Sequence, residues 1–248
     1  MDLFYVQPRQ LDLDHARAVI DGEEFHHLAR VLRCQPGDLV PITDGAGFAA
    51  ELVVEAIGKH SLEGAIQNQR TAPLPETQVT VALSLLKLPQ RFDLFLEKAT
   101  ELGVTRIVPM ITRRTVSTPD SGKIERKLER WRGIVHSAAR QSRRYYLPEL
   151  SPPLAFRDAL SLDGHDLRLI AHESEEAFPA FEPSGKKILI LVGGEGGFTD
   201  AEVADAEAAG FTPLSFGASV LRAETAGIFA VALVRSMLLA NSDPAKRL

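Results

Sequence analysis

The chain has 248 residues, 45% of them apolar and 25% charged, with a formal net charge of −5 and one cysteine. This is the composition of a globular protein of one large or two unequal domains, and the lone Cys34 excludes an internal disulfide and a cysteine-based metal centre. No apolar run reads as a membrane span and MDLFYVQPRQ lacks a basic-then-apolar leader, so a reduced cytoplasmic setting is expected.

Residues 1 to about 70 read as β-rich. GDLVPITDGAGFAAELVVEAI gives two strands about the turn Asp44-Gly45-Ala46-Gly47, a hairpin, and SLEGAIQ adds a strand after Gly58-Lys59. One helix, DGEEFHHLARVLR, interrupts them with Phe25, Leu28 and Leu32 on its apolar face. A small barrel of residues 1–72 is the expectation. RTAPLPETQ, with two prolines, reads as a linker into a second domain, 73–248.

From Val79 strands and helices alternate. VTVALSLLK, TRIVPMI, LRLIAHE, KILILV and TPLSFG are five predicted strands, with helices at RFDLFLEKATELG, at about 121–144, at TDAEVADAEAAG and at AETAGIFAVALVRSMLLA. In the long helix, Ile124, Leu128, Trp131, Val135 and Ala138 fall on one side. Such alternation predicts an α/β domain with a largely parallel sheet and helices on both faces.

KILILVGGEGGFTDAE holds the first chemical signal. A buried strand, Ile188–Val192, runs into Gly193, Gly194, Glu195, Gly196 and Gly197, and Thr199 with Glu202 spells a capping box that starts a helix at once. Glycines there let backbone approach a ligand, with a tight structural turn as the alternative. The run matches neither the dinucleotide fingerprint nor the P-loop, so a ligand need not carry phosphate. LSFGASVLRAETAG repeats the strand–glycine–helix pattern, and the two turns can converge at the carboxyl edge of one sheet. Arg222 and Glu224, between that turn and its helix, are candidates for charge stabilisation and proton handling, or a helix-cap ion pair. Neither the adjacent His26-His27 nor His136 and His172 has metal-binding spacing, and no nucleophile elbow is present; no metal site is expected.

Charge is unevenly spread. Arg106 to Arg144 contains eleven Lys/Arg against three acids, a local +8 that leaves −13 on the rest. Arg126, Arg130, Arg140 and Arg144 fall at helical spacing away from Trp131, and Arg113 and Arg114 end the preceding strand. Such a stretch can steer a polyanion or be a solvated face.

LVGGEGGFTDAEV, FGASVLRAETAG, KATELGVTRIVP, RQSRRYYLP and HHLARVLR…GDLV, in this order over nearly the whole chain, resemble the RsmE family of the SPOUT superfamily, bacterial methyltransferases acting on uridine N3 of 16S ribosomal RNA. The resemblance implies S-adenosylmethionine as methyl donor, a PUA-like N-terminal barrel, a C-terminal domain tied in a trefoil knot, a homodimer, and a substrate in the small ribosomal subunit. It places cofactor contacts on Leu191, Val192, Gly193, Gly194, Glu195, Gly196, Gly197, Phe216, Gly217, Val220, Leu221, Arg222 and Thr225. Arg222 is then expected to stabilise the uridine anion, with Glu224 as candidate proton acceptor. Four positions depart from the family pattern: Gly194 and Ala218 where prolines are usual, Ser219 where an arginine is, and Arg140 where a glutamate commonly precedes Gln141-Ser142. Two alternatives stand beside this reading: a SPOUT enzyme modifying another RNA position, ribose 2′-OH included, and a non-catalytic RNA-binding protein of the same fold.

Overall fold

A computed structural model describes residues 2–116, 121–173 and 181–241. Its contacts divide the chain into two units: the chain up to Leu74 together with Ala139–Leu147, and Pro75–Ala138 together with the chain from Pro148 onward.

The first unit contains β1 (Phe4–Tyr5), β2 (Leu11–Asp12), β3 (Arg17–Asp21), α1 (Gly22–His26), β4 (Leu39–Thr43), β5 (Phe48–Ile57) and β6 (Ser61–Thr71). They form one sheet in the order β1-β4-β5-β6-β3-β2, antiparallel except where β1 runs parallel to β4. The turn at Asp44–Gly47 joins β4 to β5 as the sequence predicts, with Asp44 Oδ1 accepting from the N–H groups of Ala46 and Phe48. Register shifts between Ala49 and Glu51 and between Val54 and Ala56 bend the two long strands around Phe4, Ile20, Phe25, Leu28, Ile42, Leu52 and Leu62. Periodicity misses β1, β2 and β3. It also errs at the helix, which changes at His27–Leu32 from α to π winding. The wider turn rotates the face, so Phe25 and Leu28 stay buried while Leu32, expected beside them, is 42% exposed.

The second unit contains β7 (Gln78–Ser84), α2 (Pro89–Leu102), β8 (Arg106–Ile111), α3 (Ser121–Gln141, whose last three residues belong to the first unit), β9 (Glu149–Leu150), β10 (Leu154–Ala155), α4 (Phe156–Leu160), β11 (Leu167–Ala171), β12 (Lys187–Val192), α5 (Asp200–Ala208), β13 (Thr212–Leu214) and α6 (Ala223–Asn241). The sheet runs β10-β8-β7-β12-β11-β13, with β9 also on β8, and every ladder is parallel. Residues of α2, α3 and α6 cover one face, packing Phe92, Phe95, Trp131 and Val231 on Val81, Leu83 and Ile190. On the other face Phe156 of α4 and Ala206 of α5 pack on Ala82, Val108 and Leu189. α3 ends at Gln141, three residues short of the predicted end, and Asp120 of the basic stretch lies outside the described residues.

The apolar run of α6 is longer than the sequence reading allows. α6 has the length and apolarity of a membrane-crossing helix, with a mean hydropathy of 1.6 over its best window. Much of it belongs to the core: Ala226, Ala230, Val231 and Val234 are buried, small residues that bring the helix close to its neighbours.

Candidate functional site

Neighbours β7 and β12 lead in opposite directions, β7 through α2 to β8 and β12 through α5 to β13. The crevice at such a reversal is where open parallel sheets bind ligands. The glycine turn leaves β12 at that point. Gly197 N–H donates to Gly194 O at 3.0 Å, closing the turn on itself. A Cβ on Gly193 would stand 2.9 Å from the Gly197 backbone, so no side chain fits there without moving the turn. The capping box then starts α5: Thr199 Oγ1 accepts from Glu202 N–H, and Glu202 Oε2 accepts from Thr199 N–H at 2.9 Å.

The second turn leaves β13, steadied by Gly217 N–H donating to Ser215 Oγ at 3.3 Å, and enters α6 where Ala226 N–H reaches Arg222 O at 2.8 Å. Between the two turns is a pocket of about 610 Å³. Val192 and Gly193–Gly197 line one side, Phe216, Gly217, Val220, Leu221 and Arg222 another. Of the residues predicted for a cofactor, Leu191 is buried within β12, and Thr225 is outside the lining.

Glu224 is outside the lining too. It is 5% exposed, and its Oε1 lies 3.6 Å from Arg91 Nε. The proton-acceptor role expected of it does not match this placement: spacing puts it beside Arg222, but the first turn of α6 turns it inward. Arg91 lines the pocket and also stands 3.9 Å from Glu195 Oε1, which accepts from Lys87 N–H at 3.0 Å. Arg91 therefore faces one carboxylate from each turn. The sequence holds no signal for it, because its place depends on α2 packing beside both loops. His172 and Glu173, after β11, also line the pocket; the rule that carboxyl strand ends build the site could have found them. The wall is of mixed charge, with Arg91, Arg114 and Arg222 against Glu173, Glu195 and Asp200. Arg222 is exposed and has no carboxylate within salt-bridge distance among the described residues.

The six arginines expected to meet RNA have different surroundings. Arg126 is exposed, while Arg130 is paired with Asp93. Arg140 and Arg144 belong to the first unit, Arg140 standing 3.7 Å from Glu24 and 3.9 Å from Asp2. The Arg144 carbonyl accepts from Tyr5 Oη at 2.6 Å. Arg113 is exposed at the end of β8, and Arg114 turns toward the glycine turn, donating to the carbonyls of Gly196 and Phe198.

Comparison with known proteins adds a common theme. Residues 72–235 match the family described as RNA methyltransferase domain, and residues 20–67 the family described as RNA methyltransferase PUA domain. A Synechocystis protein named ribosomal RNA small subunit methyltransferase E is 35% identical, over 94% of this chain and 77% of its own length. A Mycobacterium bovis protein of the same name is 34% identical over 94% and 90%. The structure of a Neisseria gonorrhoeae ribosomal RNA small subunit methyltransferase E bound to S-adenosyl methionine superposes with a TM-score of 0.83 at 30% identity, covering 96% of this chain and 98% of that one.

Proposed function

The chain belongs to the ribosomal RNA small subunit methyltransferase E family, and from that premise we propose that it methylates one uridine of 16S ribosomal RNA at N3, using S-adenosylmethionine. The observation that carries this reading is the pocket between the two turns at the β7/β12 reversal. Its volume suits a ligand of nucleoside size. Its chemistry suits the cofactor as well: glycine backbone can meet an adenine edge, the acids Glu173, Glu195 and Asp200 suit a sulfonium and an ammonium, and an arginine suits a carboxylate. The residues that would hold it are Val192–Gly197, Phe216, Gly217, Val220 and Leu221. When bound, the cofactor supplies an electrophilic methyl group.

The chain's own task is to prepare the base. Uridine N3 is a useful nucleophile only after losing its imide proton, and the resulting charge spreads over O2, N3 and O4. Arg222, exposed on the wall and without a carboxylate partner among the described residues, is the group we assign to hold that anion. Glu224 is turned against Arg91, which leaves solvent to take the proton. A base presented in this way must be out of any stack. Arg113 and Arg126, exposed and basic, are the phosphate contacts we retain.

The family assignment also carries the trefoil threading of the chain through both turns, a reading that the parallel order β8-β7-β12-β11-β13 supports. It carries a homodimer and a cytoplasmic setting beside the ribosome. Exposed Phe229 and Leu239 on α6 favour a partner on that helix. Purified protein incubated with methyl-labelled S-adenosylmethionine and small subunits lacking the modification should place label in 3-methyluridine. Label in another nucleoside would move the reading to a different RNA position, and RNA binding without label would make the protein a non-catalytic binder.

A further inference from the structure

The glycine turn has four glycines in five residues and therefore little stiffness of its own. Its shape is held from the segment that follows β8. Arg114 Nη1 donates to Gly196 O at 2.5 Å and to Phe198 O at 3.0 Å. Its stem lies over Gly196, where a Cβ would stand 3.2 Å from Arg114 Cδ. The base of this arm is fixed as well. Arg113 N–H donates to Glu202 Oε1 at 2.8 Å, and Glu202 is 2% exposed. Thr112 N–H donates to Thr115 Oγ1 at 2.8 Å, and that hydroxyl lies 3.0 Å from Ser84 Oγ at the end of β7. Two strand ends thus anchor one guanidinium, which bonds one carbonyl within the turn and one just after it.

We propose that Arg114 is a positioning residue that holds the glycine turn in its cofactor-binding shape, and is not a phosphate contact. The choice between these roles is physical: a guanidinium whose Nη1 serves two main-chain carbonyls is held against the turn, and an arm anchored at its base loses little entropy in serving them. The proposal rests on the reading of this pocket as the S-adenosylmethionine site, so its test includes a readout that needs no cofactor.

The full chain is compared with Arg114→Ala, Arg114→Lys and Arg113→Ala. Ligand-free hydrogen exchange at the amides of 194–198 should quicken in Arg114→Ala while those of β12 stay protected. The S-adenosylmethionine Kd by calorimetry should rise about tenfold, the scale of one lost charged hydrogen bond. Arg114→Lys, which keeps a donor for one carbonyl, should recover part of both. Arg113→Ala should weaken RNA binding and leave the cofactor Kd at the wild-type value. Wild-type exchange and wild-type cofactor Kd in Arg114→Ala, with RNA binding weakened as in Arg113→Ala, would overturn the proposal. Failure of the unaltered chain to bind S-adenosylmethionine would sink the cofactor reading, and the exchange comparison would then decide the role of Arg114.

Discussion

Arg222 and Glu224 are two residues apart, yet they occupy different environments, one exposed on a pocket wall and one buried. Arg222→Ala should lower kcat by about 10²- to 10³-fold, the usual cost of losing one anion-stabilising donor. Glu224→Gln should leave the pH–rate profile in place, since the carboxylate it removes is outside the lining. A shift of that profile would restore Glu224 as the proton acceptor. A second buried acid gives a pH effect on stability. Burial raises the Glu24 carboxyl to about 7, with the Arg140 guanidinium opposing it. The fold favours the protonated form, so its contribution is complete below the ordinary carboxylate range and is lost as pH climbs through about 7. Thermal melts at pH 5 and pH 8 should show a loss in the wild type that is smaller in Glu24→Gln. At this scale the sequence reveals residue types in a pattern, such as the glycines and Arg222. It cannot reveal which side chains are turned inward, so Arg91 carries no sequence signal and the spacing that offers Glu224 as a proton acceptor says nothing of its burial.

Among the elements, long periodic segments were legible and short ones were not. α2, α5 and α6 and the five longer strands of the second unit follow the sequence pattern. Two-residue strands such as β9 and β10 are shorter than any alternation that could mark them, and they exist because β8 offers a free edge. The π turn at His27–Leu32 is a tertiary choice no helical period announces. Contact between α2 and α6 shows how close packing opposes local propensity. A Cβ on Gly227 would come within 2.8 Å of the Phe95 ring. Gly227→Ala, favourable for an isolated helix, should therefore destabilise the fold by about 1–3 kcal/mol, measured by urea unfolding. α6 also carries the assembly prediction. Sedimentation should give a dimer that Phe229→Glu dissociates, and a concentration-independent monomer mass would make its exposed apolar residues ordinary surface.

For the molecule as a whole, net charge misleads and its distribution informs: an acidic chain carries a basic segment from Arg106 to Arg144. The structure divides that segment, spending Arg130 and Arg140 on ion pairs and Arg114 on the glycine turn. If Arg113 and Arg126 are the remaining phosphate contacts, each charge reversal should reduce the salt dependence of RNA binding by about 0.7 to 0.9 in log–log slope. Arg130→Glu, by contrast, should act mainly on stability, through repulsion of Asp93. The two-part organisation was readable from the proline-rich stretch at 70–78, whereas the return of residues 139–147 to the first unit was not, since contacts between segments distant in sequence leave no local mark. All of these parts serve one proposed reaction, the methylation. Its most direct test is mass spectrometry of nucleosides from small-subunit ribosomal RNA of a strain lacking this gene, complemented with the wild type or with Arg222→Ala. 3-Methyluridine should disappear on deletion and return with the wild type but not with Arg222→Ala; 3-methyluridine at parental levels in the deletion strain would rule this activity out.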